Sequence, residues 1–554
     1  MLQERIARSA WYNETVPKLF ATTRTTFPDK AALVYEGREM SYRALGDEVD
    51  RLSQALLNLG IGKGDVVSTL PSPTPEFVSL YLATLQIGAV VNPLNLLWGT
   101  LELSGVLPRN APKLIVIVHR YGGRDYLQLL CEALPDLVFN GQGRVSSAAV
   151  PSLQYMVGVS RTNERDEQFL DFHTLLGQVT SVDHERLDKL RTAGRPDDIQ
   201  FICQTSGTTG LSKSALWDHR PPLAAVNFAA RSLAYTEQER FLNLSPLFHN
   251  SGLFAINLNL VLSGSTLYLM ESFNAETAVQ LVDRHRITAT SGFEAHWQGM
   301  HRVPGFKDYA FTIDKAIVAG DPATIDLVRA MCPAGATVTG LYAQTENGPL
   351  ISLGDHDCMD AGLNKHTHGR PLPGVQVVIK NPDTGERMRQ GAGGEICYRS
   401  PFMFRGYLNQ PDEAAKAIDT EGYFHSGDYG HLDNGYLTYL GRLGGVVKSG
   451  GENVSTTRVS TLLLDVFQNR FDDVKTVGIP DPYWGARVIS FVRTREGTLL
   501  ESDAMLREAC KGKMASYEIP RNFLTWEGEW PMSPEGKIDF SVLRSVAQSR
   551  FSNI

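Results

Sequence analysis

Two spacings of apolar residues alternate along most of the chain. Residues 113–119 (KLIVIVH), 265–270 (STLYLM), 315–320 (KAIVAG) and 337–343 (TVTGLYA) are continuously apolar or β-branched, as buried strands are. Residues 47–60 (DEVDRLSQALLNLG) and 75–88 (PEFVSLYLATLQIG) instead carry the helical period. Strands alternating with helices predict βαβ units stacked on largely parallel sheets, an α/β fold. From about Gln376 the texture changes to short strands and Gly-rich turns (VQVVIKNPDTGE, GGEICYRS), which predicts a small β-rich subdomain. The glycine-dense stretch GRLGGVVKSGGENVS then precedes a segment of domain size, the usual setting of a boundary. The expected division is residues 1–441, a hinge at 442–446, and a small α+β domain at 447–554.

Residues 204–213 (QTSGTTGLSK) interrupt this pattern with hydroxyls, two glycines and a terminal lysine. Such clusters often mark plain turns. Here the flanks read as core elements: a strand before, and a strand and turn leading into a helix after. Glycines allow close backbone approach to a ligand, and Thr205, Ser206, Thr208, Thr209 and Lys213 supply hydroxyls and a cation, so phosphate oxygens suit the loop. It is not a Walker A loop, because Ser212 stands where glycine is required. Both readings, phosphate cradle and plain loop, stay open at this point.

Further stations repeat the theme. GLYAQTENG puts Thr345 and Glu346 at the carboxyl end of a strand, where open α/β sheets place ligands. GYFHSGDYGHLDNGYLTYLGR sets Asp428 in what reads as a tight turn and Arg442 at the end of a hairpin. PMSPEGKID holds Lys537 between a turn and a helix. Singly, each is more often a solvated strand end or a structural turn.

The 554 residues imply more than one domain, and a net charge of -8 argues against a nucleic-acid partner. The six cysteines are scattered without metal-ligand spacing, which fits reduced thiols in a cytoplasmic protein. The first twenty residues carry charges where a signal peptide needs an apolar core, and they read as a surface helix. Residues 77–101 and 241–270 are long and uncharged or nearly so, but prolines, glycines, His249 and Asn250 break them, so both read as buried pieces rather than membrane spans.

Taken in order, TSGTTGLSK, YAQTE, SGD, GR and GK resemble the adenylate-forming (ANL) superfamily: acyl- and aryl-CoA synthetases, nonribosomal adenylation domains and beetle luciferases. The resemblance runs nearly end to end and implies a large N-terminal domain of two αβ layers plus a β-rich subdomain, with a small mobile C-terminal domain. It implies an acid:CoA ligase using ATP, Mg²⁺ and CoA, in which a carboxylate attacks the α-phosphate and the adenylate then passes its acyl group to the pantetheine thiol. By resemblance, Thr205, Ser206, Gly207, Thr208, Thr209, Gly210 and Lys213 cover the β- and γ-phosphates, Thr345 meets the α-phosphate, and Glu346 holds the metal. Asp428 accepts the ribose hydroxyls with help from Arg442. Adenine lies against Ala319, Gly320, Asp321 and Pro322, and against Gly340, Leu341, Tyr342, Ala343 and Gln344. Lys537 bridges carboxylate and phosphate during adenylation. His249 stands at the carboxylate and thiol entrance, with Asn250, Glu294, Ala295, Gly320 and Gln344 around the acyl group. Lys448, Ser449, Gly450 and Gly451 face the CoA tunnel after the C-terminal domain rotates.

Five positions in three stretches depart from the family pattern. Gly444 and Gly445 occupy the hinge where charged residues are usual, Arg458 and Ser460 stand where acids are common, and Ala343 replaces a glycine. Glu294 and His296 lie near the expected acyl pocket but are equally placed to cap or flank a helix, so aryl, alicyclic and fatty acids all stay open. The alternatives are an enzyme that stops at the acyl adenylate or serves a carrier protein, and a catalytically silent nucleotide-binding regulator. No stable membrane insertion is expected, and a homodimer is one option for the assembly.

Overall fold

The structure is a computed structural model that describes residues 13–160, 169–205, 212–319, 322–354, 367–382, 384–443, 446–495, 497–531 and 539–551. The chain divides into two compact units, the larger drawn mainly from residues up to Gly441 and the smaller from Arg442 onward together with residues 97–106.

The larger unit contains a nine-stranded and a seven-stranded sheet. In the first, the strands Ala31–Tyr35, Thr266–Leu269, Arg240–Asn243, Ala289–Phe293, Lys315–Ala319 and Thr337–Gln344 run parallel side by side. In the second, Tyr155–Val159, Leu114–Val118, Val66–Leu70, Val90–Pro93 and Phe201–Thr205 form the parallel centre. These are the apolar runs, and Leu114–Val118 is buried along its whole length. A parallel sheet covered by helices on both faces has no polar side to show, which explains the unbroken apolar pattern.

Helices begin where the local chemistry starts them. The Ser41 hydroxyl accepts a hydrogen bond from the Ala44 amide, opening the helix Tyr42–Asn58. Pro75 sits in the first turn of Pro75–Gln86, where its missing N–H costs nothing. The two long apolar segments resolve into buried pieces: that helix and the strand Val90–Pro93 in one, and Arg240–Asn243, Asn250–Ile256, the π-helical turn Asn257–Ser263 and Thr266–Leu269 in the other. No described helix is long and apolar enough to cross a membrane. At the N-terminus residues 1–12 lie outside the described residues, and the helix Val16–Thr26 buries one face through Val16, Phe20 and Thr23 and leaves Thr22, Thr25 and Thr26 exposed.

The texture change near Gln376 is an antiparallel four-stranded sheet of Gln376–Lys380, Gly394–Arg399, Phe424–Asp433 and Tyr436–Arg442. The smaller unit has its own five-stranded sheet and a core that includes Val454, Leu463, Val474, Val492 and Leu506. The expected α/β class, with a β-rich subdomain and a small α+β unit, is borne out.

Candidate active site

Because Arg240–Asn243, Ala289–Phe293, Lys315–Ala319 and Thr337–Gln344 are adjacent and parallel, their carboxyl ends form one edge. Phe293 pairs with Ala319, and Val318 with Gly340. Side chains alternate along the last strand, burying Tyr342 and Gln344 and leaving Leu341 and Ala343 half-buried. Tyr342 and Gln344 therefore share a face, and both donate to one oxygen of Asp428: the Tyr342 hydroxyl at 2.7 Å and Gln344 Nε2 at 2.7 Å, both to Oδ2. Tyr398 in turn donates to Gln344 Oε1 at 3.0 Å, fixing which way the amide points.

Asp428 does not lie in a tight turn. It lies inside the strand Phe424–Asp433, at an irregularity where Glu395 pairs with Tyr429 but Cys397 pairs with His425. Two steps on one strand thus match four on the other. Such a bulge re-aims a side chain without ending the sheet, and Gly427, at φ +68°, supplies the backbone freedom it needs. The Ser426 hydroxyl accepts from the Asp428 amide at 3.0 Å. Only 2% of Asp428 is exposed, so its carboxylate is held by donors rather than by water. Burial, and next the Asp428 charge, raise the Tyr342 phenol far above its ordinary range, so it stays a donor.

Thr345 and Glu346 follow in a short 3₁₀ turn, Thr345–Asn347. Trp217 Nε1 donates to the Thr345 carbonyl at 2.8 Å, and Asn250 Nδ2 reaches Thr345 Oγ1 at 3.5 Å. The Tyr407 hydroxyl donates to Glu346 Oε1 at 2.6 Å. Tyr407 arrives there because its segment runs beside Lys213–Trp217, with the Leu216 amide on the Gly406 carbonyl and the Leu408 amide on the Ser214 carbonyl. Burial, and next Glu346, raise the Tyr407 phenol as well. Cys203 Sγ lies 2.6 Å from Asn250 Oδ1, and burial above all raises its pKa, so it is a protonated donor and not a nucleophile.

The phosphate-loop residues Ser206, Gly207, Thr208, Thr209 and Gly210 lie outside the described residues. Their foundations do not. Ser214 Oγ is within hydrogen-bond distance of Asn110 Oδ1 (2.7 Å) and Gln204 Oε1 (3.0 Å), and Gln204 Nε2 donates to Asn92 Oδ1 at 3.1 Å. Asn92 continues to Ser68 Oγ at 2.7 Å. Thus Gln204 and Ser214, on the strands that flank the loop, are tied through one polar chain in which Ser68, Asn92, Asn110 and Ser214 are all buried. Tyr398, Tyr407, Trp217 and this network surround the candidate site and were not marked by the motifs.

The remaining expected residues are dispersed. His249 precedes the helix Asn250–Ile256 with its ring 4.5 Å from that of Phe248. Glu294 and Ala295 open the helix Glu294–His301, where Glu294 Oε1 accepts from Gln298 at 2.7 Å and His296 Nδ1 accepts from the Phe293 amide at 3.2 Å. Ala319 ends its strand and Pro322 opens the helix Pro322–Met331. Gly320, Asp321, Gly444 and Lys537 lie outside the described residues, and Arg442 closes the strand Tyr436–Arg442. In the smaller unit, Lys448 and Ser449 form a hairpin with Glu452 and Asn453. Gly450 and Gly451 make its two-residue turn at φ +60° and +86°, as a type I′ geometry requires.

A family profile described as "AMP-binding enzyme" matches residues 20–408. The "Putative acyl-CoA synthetase YngI" of Bacillus subtilis (strain 168) is 28% identical over 547 residues, covering 98% of each chain. The "Medium-chain acyl-CoA ligase ACSF2, mitochondrial" of Rattus norvegicus is 27% identical over 554 residues, covering 96% of this chain and 87% of its own. Among solved structures, the amide bond synthetase McbA from Marinactinospora thermotolerans superposes with a TM-score of 0.79 at 22% identity, over 96% of this chain and 99% of its own, a likeness of fold. The chain belongs to the AMP-binding enzyme family, and the expected membership of the adenylate-forming superfamily is borne out.

Proposed function

We propose that this chain is an AMP-forming acid:CoA ligase. Its carboxylic acid displaces pyrophosphate from ATP to give an acyl adenylate, and the CoA thiol then displaces AMP. The observation that carries the reading is the buried Asp428 carboxylate, positioned by Tyr342 and Gln344 at the carboxyl edge of a parallel sheet. A carboxylate there is the natural acceptor for a pair of ribose hydroxyls. The relatives' names support the CoA step, since two of them are called acyl-CoA synthetase or ligase.

The oxygen donors of Glu346 and Thr345 fit the Mg²⁺ that the family implies, because a hard cation takes carboxylate and hydroxyl oxygens, and the Tyr407 hydrogen bond orients the Glu346 carboxylate. Bound there with ATP, the ion would neutralise phosphate charge. Thr205 and the loop after it would cover the β- and γ-phosphates, with Lys213 as the cation. Adenine would rest against Gly340 to Gln344 and Ala319 to Pro322. Lys537 would offset the repulsion between carboxylate and phosphate. His249 and Asn250 would face the acyl carboxylate, and Lys448 to Gly451 would meet the CoA after rotation at 442–446, the boundary proposed between residues 1–441 and 447–554. A cytoplasmic location belongs to the same proposal, supported by Cys131, Cys203, Cys332, Cys397 and Cys510, none of which is disulfide-bonded.

The test is pyrophosphate release against a panel of aryl, alicyclic and fatty acids, with a medium-chain fatty acid included on the strength of the ACSF2 relationship. Acid-dependent release with acyl-CoA appearing by mass spectrometry is the expected result. Release by no acid would favour a silent nucleotide binder. Acyl adenylate that builds up despite CoA would assign the acyl group to another acceptor.

A further inference from the structure

The bulge that aims Asp428 gathers a second constellation. Glu395 and Cys397 are two apart on the strand Gly394–Arg399, and His425 is the direct cross-strand partner of Cys397. One ligand atom from each, a Glu395 carboxylate oxygen, Cys397 Sγ and a His425 ring nitrogen, lies within 4.8 Å of the others. His425 Nδ1 is 2.8 Å from Glu395 Oε2 and 3.6 Å from Cys397 Sγ. It is the only such group of three among the described residues.

The surroundings suit a bound cation. The opposite ring nitrogen, Nε2, lies 3.3 Å from Asp419 Oδ2. A metal-ligating histidine characteristically has its other nitrogen on a carboxylate, which fixes ring orientation and tautomer. Asp419 is itself fixed by Lys380 Nζ at 2.5 Å and by the amides of Glu421 and Tyr423, both at 2.9 Å. Glu395 Oε1 accepts from the Gly427 amide at 2.9 Å, which leaves Oε2 turned toward the imidazole. Cys397 is fully buried, whereas about a third of the His425 side chain is exposed, so the group has a closed side and an open side.

We propose that Glu395, Cys397 and His425 form a binding site for a borderline-soft divalent cation such as zinc, with a fourth position open to water. A thiolate, a carboxylate and a neutral imidazole carry two negative charges, which a divalent ion balances; the thiol proton leaves to solvent on binding. Burial, and next Glu395, push the free thiol up to about 12, and a coordinated cation removes that penalty. The ion would brace the bulge, since Glu395 holds the Gly427 amide and Asp428 is the next residue. The site is separate from Glu346 and does not depend on the ligase reading.

Titration of the full chain with Co²⁺, reduced and without nucleotide, tests this. A thiolate-to-cobalt charge-transfer band is expected to saturate at one equivalent and to disappear on adding Zn²⁺. Cys397→Ser is expected to lose the band, which separates this site from the other cysteines. Asp419→Asn is expected to keep the band while binding about 10- to 100-fold more weakly, the usual effect of losing a supporting carboxylate. No thiolate band in the parent protein, or the same band in Cys397→Ser, would overturn the proposal. A Zn²⁺-dependent rise in thermal midpoint, present in the parent and lost in Cys397→Ser, gives a second readout without nucleotide.

Discussion

The Tyr342 hydroxyl and Asp428 Oδ2 are 2.7 Å apart, and that bond ties the last parallel strand of the large sheet to the bulged strand of the small antiparallel one. Two sheets of different origin in the sequence thereby share one buried carboxylate. Replacing Tyr342 with Phe keeps the ring and its stacking on Tyr439, 5.7 Å away, but removes one donor to that charge. A hydrogen bond to a charged group contributes ~1.5–3 kcal/mol, so KM for ATP is expected to rise about 10- to 100-fold with kcat less affected. An unchanged KM for ATP would show that Asp428 is not the ribose acceptor.

Glu346→Gln replaces a carboxylate with an amide, a poor ligand for a hard dication. The Tyr407 hydroxyl can still donate to the amide oxygen, so local packing should survive. Activity is expected to require roughly tenfold or more Mg²⁺ for half-saturation, on the weakness of amide ligands. An unchanged Mg²⁺ titration would remove Glu346 from the metal site.

Lys537→Ala separates the half-reactions. Loss of a preorganised cation is expected to slow adenylation on the order of 10²-fold or more. Thioester formation from a supplied acyl adenylate should stay near the parent rate. Equal losses in both steps would refute the assigned role.

The N-terminal packing predicts a pH effect. His219 is buried, its Nδ1 accepts from the Val16 amide at 3.2 Å, and its pKa is pushed down to about 3, chiefly by burial. The unfolded chain takes up that proton near the ordinary value of about 6.5, whereas the folded chain does not. Its contribution to stability is therefore complete above about pH 6.5 and falls by ~1.4 kcal/mol per pH unit as pH drops toward 3. His219→Asn retains an acceptor but does not titrate. The drop in thermal midpoint between pH 7.5 and pH 5 is expected to shrink in the variant, and an undiminished drop would assign the acid sensitivity to other groups.

Much of this architecture is legible in the sequence because the periods are unmixed. Leu114–Val118 reads as a doubly buried strand from its short β-branched run, and Thr345 and Glu346 fall at a strand's carboxyl end. The bulge at Asp428 is not legible, because it is a mismatch of register between two strands and only Gly427 marks it locally. The chain from Ser68 through Asn92, Gln204 and Ser214 to Asn110 is hidden for another reason. Its members are distant in sequence, and only Asn92 among them stands alone in an apolar run. A buried polar side chain in such a run must find a partner, which is a signal that something is being held, though not what.

The central claim is a route through an acyl adenylate to an acyl-CoA, and oxygen labelling follows it directly. A turnover acid carrying ¹⁸O in both carboxyl oxygens is incubated with ATP, Mg²⁺, CoA and the full chain, and the nucleotide and thioester are weighed by mass spectrometry. If the carboxylate attacks the α-phosphate, one labelled oxygen bridges acyl and phosphate and leaves with AMP when the thiol attacks the acyl carbon. AMP bearing one ¹⁸O, formed together with acyl-CoA bearing the other, is the predicted result. Unlabelled AMP, ADP in place of AMP, or labelled AMP without acyl-CoA would contradict the account.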